Sequence, residues 1–169
     1  MKEIFEAAIG MFFITMLTIV SMACITASID AKNADTTKTM YIAEIEDSHF
    51  AAQVLQNVFI QVAKDDKYDV KMTVYHKYFA SQPESTNSIT TANGKDGLFN
   101  SDGNKVDIAS LFNPDGTVRD GIGEMFDVDG NPIIGNTSDV YMVRLELTFA
   151  YSFNYLDDYV THNLIGYAR

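Results

Sequence analysis

Three related segments hold the side chains with the most chemistry to offer. Leu98-Phe99-Asn100-Ser101-Asp102-Gly103 recurs as Leu111-Phe112-Asn113-Pro114-Asp115-Gly116 and as Met125-Phe126-Asp127-Val128-Asp129-Gly130, offset by 13 and then 14 residues. Asn100, Asp102 and Asn104, or Asp127, Asp129 and Asn131, put oxygens at alternate positions, an array that could bind calcium. Asp102, Asp115, Asp127 and Asp129 are the candidate ligands. An EF-hand needs Gly at the sixth loop position and Glu at the twelfth, whereas Gly stands fourth in each run, so that motif is excluded. The competing use of the same residues is to close tight turns, with Gly taking positive φ and a β-branched residue (Val106, Val118, Ile133) following each turn. Turn closure is the favoured reading, and no cofactor other than this calcium is implied.

The other reactive side chains offer less. His49, His76 and His162 have no His, Cys or Glu at zinc-ligand spacing. They read as one helix-start residue and two strand residues. No nucleophile elbow, phosphate loop or dinucleotide fingerprint is present, and Asp157 with Asp158 suits a solvated turn better than an acid and base pair, so the chain is not expected to be an enzyme. The one cysteine, Cys24, excludes an intramolecular disulfide. Ser21-Met22-Ala23-Cys24 resembles the box ahead of a lipid-modified cysteine, although Ser21 replaces a branched aliphatic. Lipidation of Cys24 is therefore an alternative to plain helix packing. A formal charge of −11 and the lack of a basic stripe exclude nucleic-acid partners.

What must carry these residues begins with Ala7 to Ile29, which contains no charged side chain. As a helix this run spans roughly 34 Å, enough for a hydrocarbon core of about 30 Å. Residues 1–29 read as a membrane-spanning helix with a short tail, and the run is too long, and its start too acidic, for a removable secretory signal. Lys2 on one flank and Lys32 and Lys38 on the other leave orientation undecided by charge; the polar body that follows is expected outside the cytoplasm. Glu6 lies at the lip of the run, either interfacial or paired with a positive group of a neighbouring copy. Gly10, Ala23 and Ala27 offer small surfaces for helix packing.

Residues 30–46 contain no Pro or Gly, and apolar Ala34, Tyr41 and Ile45 predict that the helix continues beyond the membrane. Residues 47–169 read as an α+β head. Asp47 and Ser48 are expected to cap a second helix whose stripe is Val54, Leu55, Val58, Phe59 and Val62. Alternation from Tyr68 to Tyr78 and from Tyr141 to Tyr155 predicts antiparallel strands, with a turn at Asp157–Asp158 and Tyr159 to Ala168 as a returning partner. Residues 81–139 are expected to form an insertion, first an exposed polar loop and then the three Asp-Gly hairpins.

A spanning helix almost at the N-terminus, prolonged as an amphipathic helix and followed by an antiparallel sheet, resembles a type IV pilin-like protein. The acidic residue at the helix start and the C-terminal NLIGYAR resemble the small pilin-like proteins of Tad-type systems in Gram-positive bacteria. The resemblance implies a lollipop fold and a structural role in a surface filament or its assembly machinery. The implied partners are membrane lipids, copies of the chain itself and other pilin-like subunits. It also implies that Glu6 takes the place of the glutamate that pairs with a neighbour's terminal amine. A leader ending at Gly10 would put Thr15 at that place, so the likeness implies either an unprocessed chain or similarity of architecture alone. The alternative function is a membrane-anchored extracytoplasmic binding module.

Overall fold

The computed structural model describes residues 2–65, 67–77, 88–94, 97–135, 137, 139–150 and 161–169. It is an α+β structure. Its first element is one helix, α1 (Lys2–Asp47), of 46 residues and hence about 69 Å long. The hydroxyls in its apolar run do not interrupt it, because they are satisfied within the helix. Thr15 and Thr18 donate to the carbonyls of Met11 and Ile14 at 2.8 Å, and Ser21 and Ser28 to those of Leu17 and Cys24 at 2.8 and 2.9 Å.

The two halves of α1 have different surroundings. Residues 2–22 are exposed all round. From Ala23 a shielded stripe develops at three- and four-residue spacing through Ala27, Ala31, Ala34, Lys38, Tyr41 and Ile45, with Ala34, Tyr41 and Ile45 buried. The boundary at Ala23 falls inside the uncharged run, two turns before its end at Ile29.

The expected cap at Asp47 and Ser48 is corrected by the structure. Asp47 ends α1, and the Ser48 hydroxyl donates back to the Ile45 carbonyl at 2.9 Å. The chain then reverses through His49 (φ 53°) and Phe50 (φ 61°), and the Phe50 amide donates to Ile45 at 3.3 Å. Left-handed backbone disfavours a bulky residue. Packing of the Phe50 ring against the core offsets that cost. The second helix, α2 (Ala52–Lys64), starts after Ala51 without a side-chain cap.

A four-stranded antiparallel sheet has the order β2-β1-β5-β6, from β1 (Tyr68–His76), β2 (Ser88–Asn93), β5 (Val140–Ala150) and β6 (Thr161–Ala168). A two-stranded ladder joins β3 (Leu98–Phe99) to β4 (Lys105–Val106), followed by a 3₁₀ turn at Ile108–Leu111. The expected loop after Ser81 is corrected in part: β-branched Ile89, Thr90 and Thr91 lie in β2, paired with β1. Tyr78, the residues 151–155 assigned to the last long strand, the turn at Asp157–Asp158 and the start of its return at Tyr159 lie outside the described residues.

One sheet face presents Val70, Met72 and Val74 of β1 and Val143, Leu145 and Leu147 of β5 to the core. α2 covers β1, while the second half of α1 covers β5 and β6. Gly166 permits close helix approach: a Cβ there would run into Ile42, with the Lys38 stem also only 3.3 Å away. The backbone amide of Arg169 donates to Glu46 at 3.0 Å, tying the end of β6 to α1. The other face is less wet than alternation predicts. Thr73 is only 6% exposed there, beside the half-buried Arg144–Glu146 ion pair at 3.0 Å.

Candidate functional site

The free half of α1 carries most of the exposed large hydrophobic side chains among the described residues. Residues 7, 10, 14, 17, 21, 24 and 28 recur at alternating spacings of three and four, as an a/d seam would, and they share their exposure with every other residue of 2–22. Their identities are Ala7, Gly10, Ile14, Leu17, Ser21, Cys24 and Ser28, small at both ends and branched in the middle. Space beside Gly10 is open, and Ser21 and Ser28 have already spent their hydroxyls on their own helix. Such a seam admits a second helix at close range in lipid or in a bundle.

The four residues expected to serve helix packing divide between two surfaces. Glu6 and Gly10 lie one turn apart on the free half. Ala23 and Ala27 begin the shielded stripe and are partly buried. Glu6 faces Lys2 at 3.9 Å, with both side chains exposed, an arrangement worth little on its own. Cys24 is exposed and free. Below it, Tyr41 is enclosed between α1 and the head. Burial, reinforced by Glu44 and Asp65, raises its phenol above the ordinary range and keeps it neutral.

The three repeats fold alike. In each, the residue after the aromatic donates its amide to the carbonyl four residues on: Asn100 to Asn104 at 3.0 Å, Asn113 to Thr117 at 2.8 Å and Asp127 to Asn131 at 2.9 Å. The glycines close these turns at φ 76°, 87° and 77° for Gly103, Gly116 and Gly130. Phe99 and Phe126 exchange both backbone hydrogen bonds at 2.9 Å, so the first and third turns are joined back to back. Leu111, Phe112, Met125, Ile133 and Ile134 are built into the main core, and Lys64 lies 3.8 Å from the centre of the Phe112 ring.

The oxygens proposed for calcium are largely engaged in closing these turns. Asp127, 3% exposed, accepts the amides of Asp129 and Asn131 on Oδ1 at 3.0 and 2.8 Å and the Asn131 side-chain amide on Oδ2 at 3.1 Å. Asn100 takes the equivalent amides of Asp102 and Asn104 at 3.0 and 2.9 Å. Asp115 accepts the Thr117 amide and hydroxyl at 2.9 and 2.6 Å, and these bonds hold its carboxyl below the ordinary range. Asp102 and Asp129 sit at exposed tips. Among the described residues no three His, Cys, Asp or Glu side chains converge on a point where a metal could bind.

The three histidines are apart: His49 in the α1–α2 turn, His76 at the end of β1 beside a register shift, and His162 on β6, its ring 5.9 Å from that of Phe149. An open cleft of about 350 Å³ lies between the start of α2 and residues 119–135, lined by Gln53, Gln56, Asn57, Arg119, Glu124 and Ile134. The Gln56 side-chain amide spans it to the Gly123 carbonyl at 3.1 Å.

The chain matches no protein-family model, no curated protein and no solved structure.

Proposed function

We propose that the protein is a pilin-like structural subunit of a bacterial surface filament or of its assembly machinery, displayed outside the cytoplasm. The observation that carries this reading is the division of α1. Its first 21 described residues are unshielded and carry the seam as far as Ser21, while its second half packs on the antiparallel head. A helix that is apolar all round needs either lipid or other helices against it.

Before assembly the candidate membrane anchor lies in the bilayer. The charged residues Lys2, Glu3 and Glu6 mark one interface. Ala7 to Ile29 rises about 34 Å, enough for a core of about 30 Å, so the opposite interface falls near Ala27, where the shielded stripe has already begun. After assembly the seam packs on copies of itself. The internally bonded hydroxyls suit both environments, since neither water nor a partner is needed to satisfy them.

The test is fractionation of the producing cell. Sheared surface material should contain the 18.8 kDa chain as sedimenting polymer. Recovery only as a monomer extracted from membrane would overturn the reading.

The second reading, a membrane-anchored binding module, is favoured by the amide-lined cleft at the start of α2. Calorimetry on the detergent-solubilised full chain would support it by saturable heat with calcium or soluble glycans that is lost in Gln53→Ala. A flat titration counts against it.

A further inference from the structure

The sheet ends on two strands whose outer edges meet no other strand among the described residues, β2 and β6. An open edge invites pairing, and stable monomers blunt it with Lys, Pro, a bulge or inward charge. Among their described residues neither edge strand carries such a residue or bulge; α1 packs over β6, and Glu46 takes the Arg169 amide at its end. Ser88–Asn93 (SITTAN) and Thr161–Ala168 (THNLIGYA) contain no Asp, Glu, Lys, Arg or Pro, in a chain that is 21% charged. β6 runs in unbroken register against β5 from Ala150↔Thr161 to Val143↔Ala168, without a bulge to bend it away. Ile165 and Tyr167 are 42% and 46% exposed along it.

The strand order sets what can complete these edges. Adjacent strands in β2-β1-β5-β6 are all antiparallel and their number is even, so β2 and β6 run in opposite directions. Moving a second copy along the sheet direction without inverting it brings its β2 beside β6 of the first, and the new pair is again antiparallel. The operation repeats indefinitely, because each added copy presents a fresh β6. Heterologous contacts of this kind build open polymers. Matching two β6 edges by a two-fold would instead give a closed dimer and leave both β2 edges open.

We infer that the heads join head to tail by strand addition, β6 of one copy pairing with β2 of the next, so that one continuous antiparallel sheet runs through successive subunits. The partner is a second copy of this chain. This contact joins a different pair of copies from the α1 seam, because four strands at about 4.8 Å set successive helices about 19 Å apart, beyond helix-packing distance.

The test uses the full chain with Cys24→Ser and two new cysteines, Thr91→Cys and Ile165→Cys. Thr91 pairs with Thr73 and Ile165 with Glu146, so both fall on register rows of the sheet face opposite the core. Mixed single variants in sedimenting material should form a disulfide-linked heterodimer, and the double variant a ladder, while neither single variant alone dimerises. Tyr167→Lys, at an exposed position, should reduce the ladder at least tenfold without changing head melting. Backbone exchange of residues 163–167 should slow at least tenfold on assembly. Dimers from one single variant alone, or sedimenting polymer with neither cross-link nor exchange protection, would overturn the inference and leave the α1 reading intact. A chain that never sediments and never cross-links would overturn both.

Discussion

At the scale of single residues, the Asp-Gly repeats use their oxygens for folding. Asp127 is the most demanding case, since it is buried and accepts three hydrogen bonds. Asp127→Ala would leave two backbone amides unpaired and should cost about 1–3 kcal/mol. Asp127→Asn should cost less than Asp127→Ala, because it keeps the two Oδ1 bonds that Asn100 makes in the first copy and gives up only the bond to the Asn131 side chain. Thermal melting of the detergent-solubilised chain checks both; equal losses would remove the turn from the explanation. Asp115 gives a pH signature. Its carboxyl is held below the ordinary range by Thr117, so the folded state binds its proton less readily than the unfolded chain. The stabilisation is therefore present above the ordinary carboxylate range and is lost as pH falls through the depressed value. Carboxyl NMR of Thr117→Ala should show Asp115 titrating at a higher pH than in the parent. The sequence reading recognised these turns because Asp-Gly chemistry is local. It missed that Phe112, with Leu98, Leu111 and Met125, joins the main core, and that the backbones of Phe99 and Phe126 pair across 27 positions.

At the scale of elements, the prolonged helix was legible because Ala34, Tyr41 and Ile45 keep helical spacing and no Pro intervenes. Its junction with α2 was not. Asp47 and Ser48 have the composition of a cap, yet the reversal is made by His49 and Phe50 in left-handed backbone, which local propensity disfavours and core packing of Phe50 supplies. β2 was hidden inside a polar stretch because Thr serves loops and strands alike. Packing of α1 on β6 depends on the missing side chain at Gly166, where Ile42 fills the space. Gly166→Ala should cost about 1–3 kcal/mol through overpacking. Gly166→Ala combined with Ile42→Ala should lose less than the sum of the two, since the second change makes room for the first. Strict additivity in melting measurements would mean that the contact does not hold α1 to the sheet.

At the scale of the whole molecule, helix and head are one continuous design. The head anchors the second half of α1, and the first half is left without cover over about 30 Å. Lipid can supply that cover, and so can other copies of the chain. In the proposed reading copies replace lipid on assembly, since Gly10, Ser21, Cys24 and Ser28 are small where Leu or Phe would serve lipid contact as well. Cys24 stands on the exposed seam and is the chain's one cysteine, so it reports the seam without any engineering. Thiol-specific cross-linking of sheared surface material with a short bismaleimide should give a band at twice the 18.8 kDa chain mass, joined through Cys24. If Cys24 in that material reacts fully with a monofunctional maleimide but yields no dimer, the seams of neighbouring copies do not face one another, and the account of assembly is wrong.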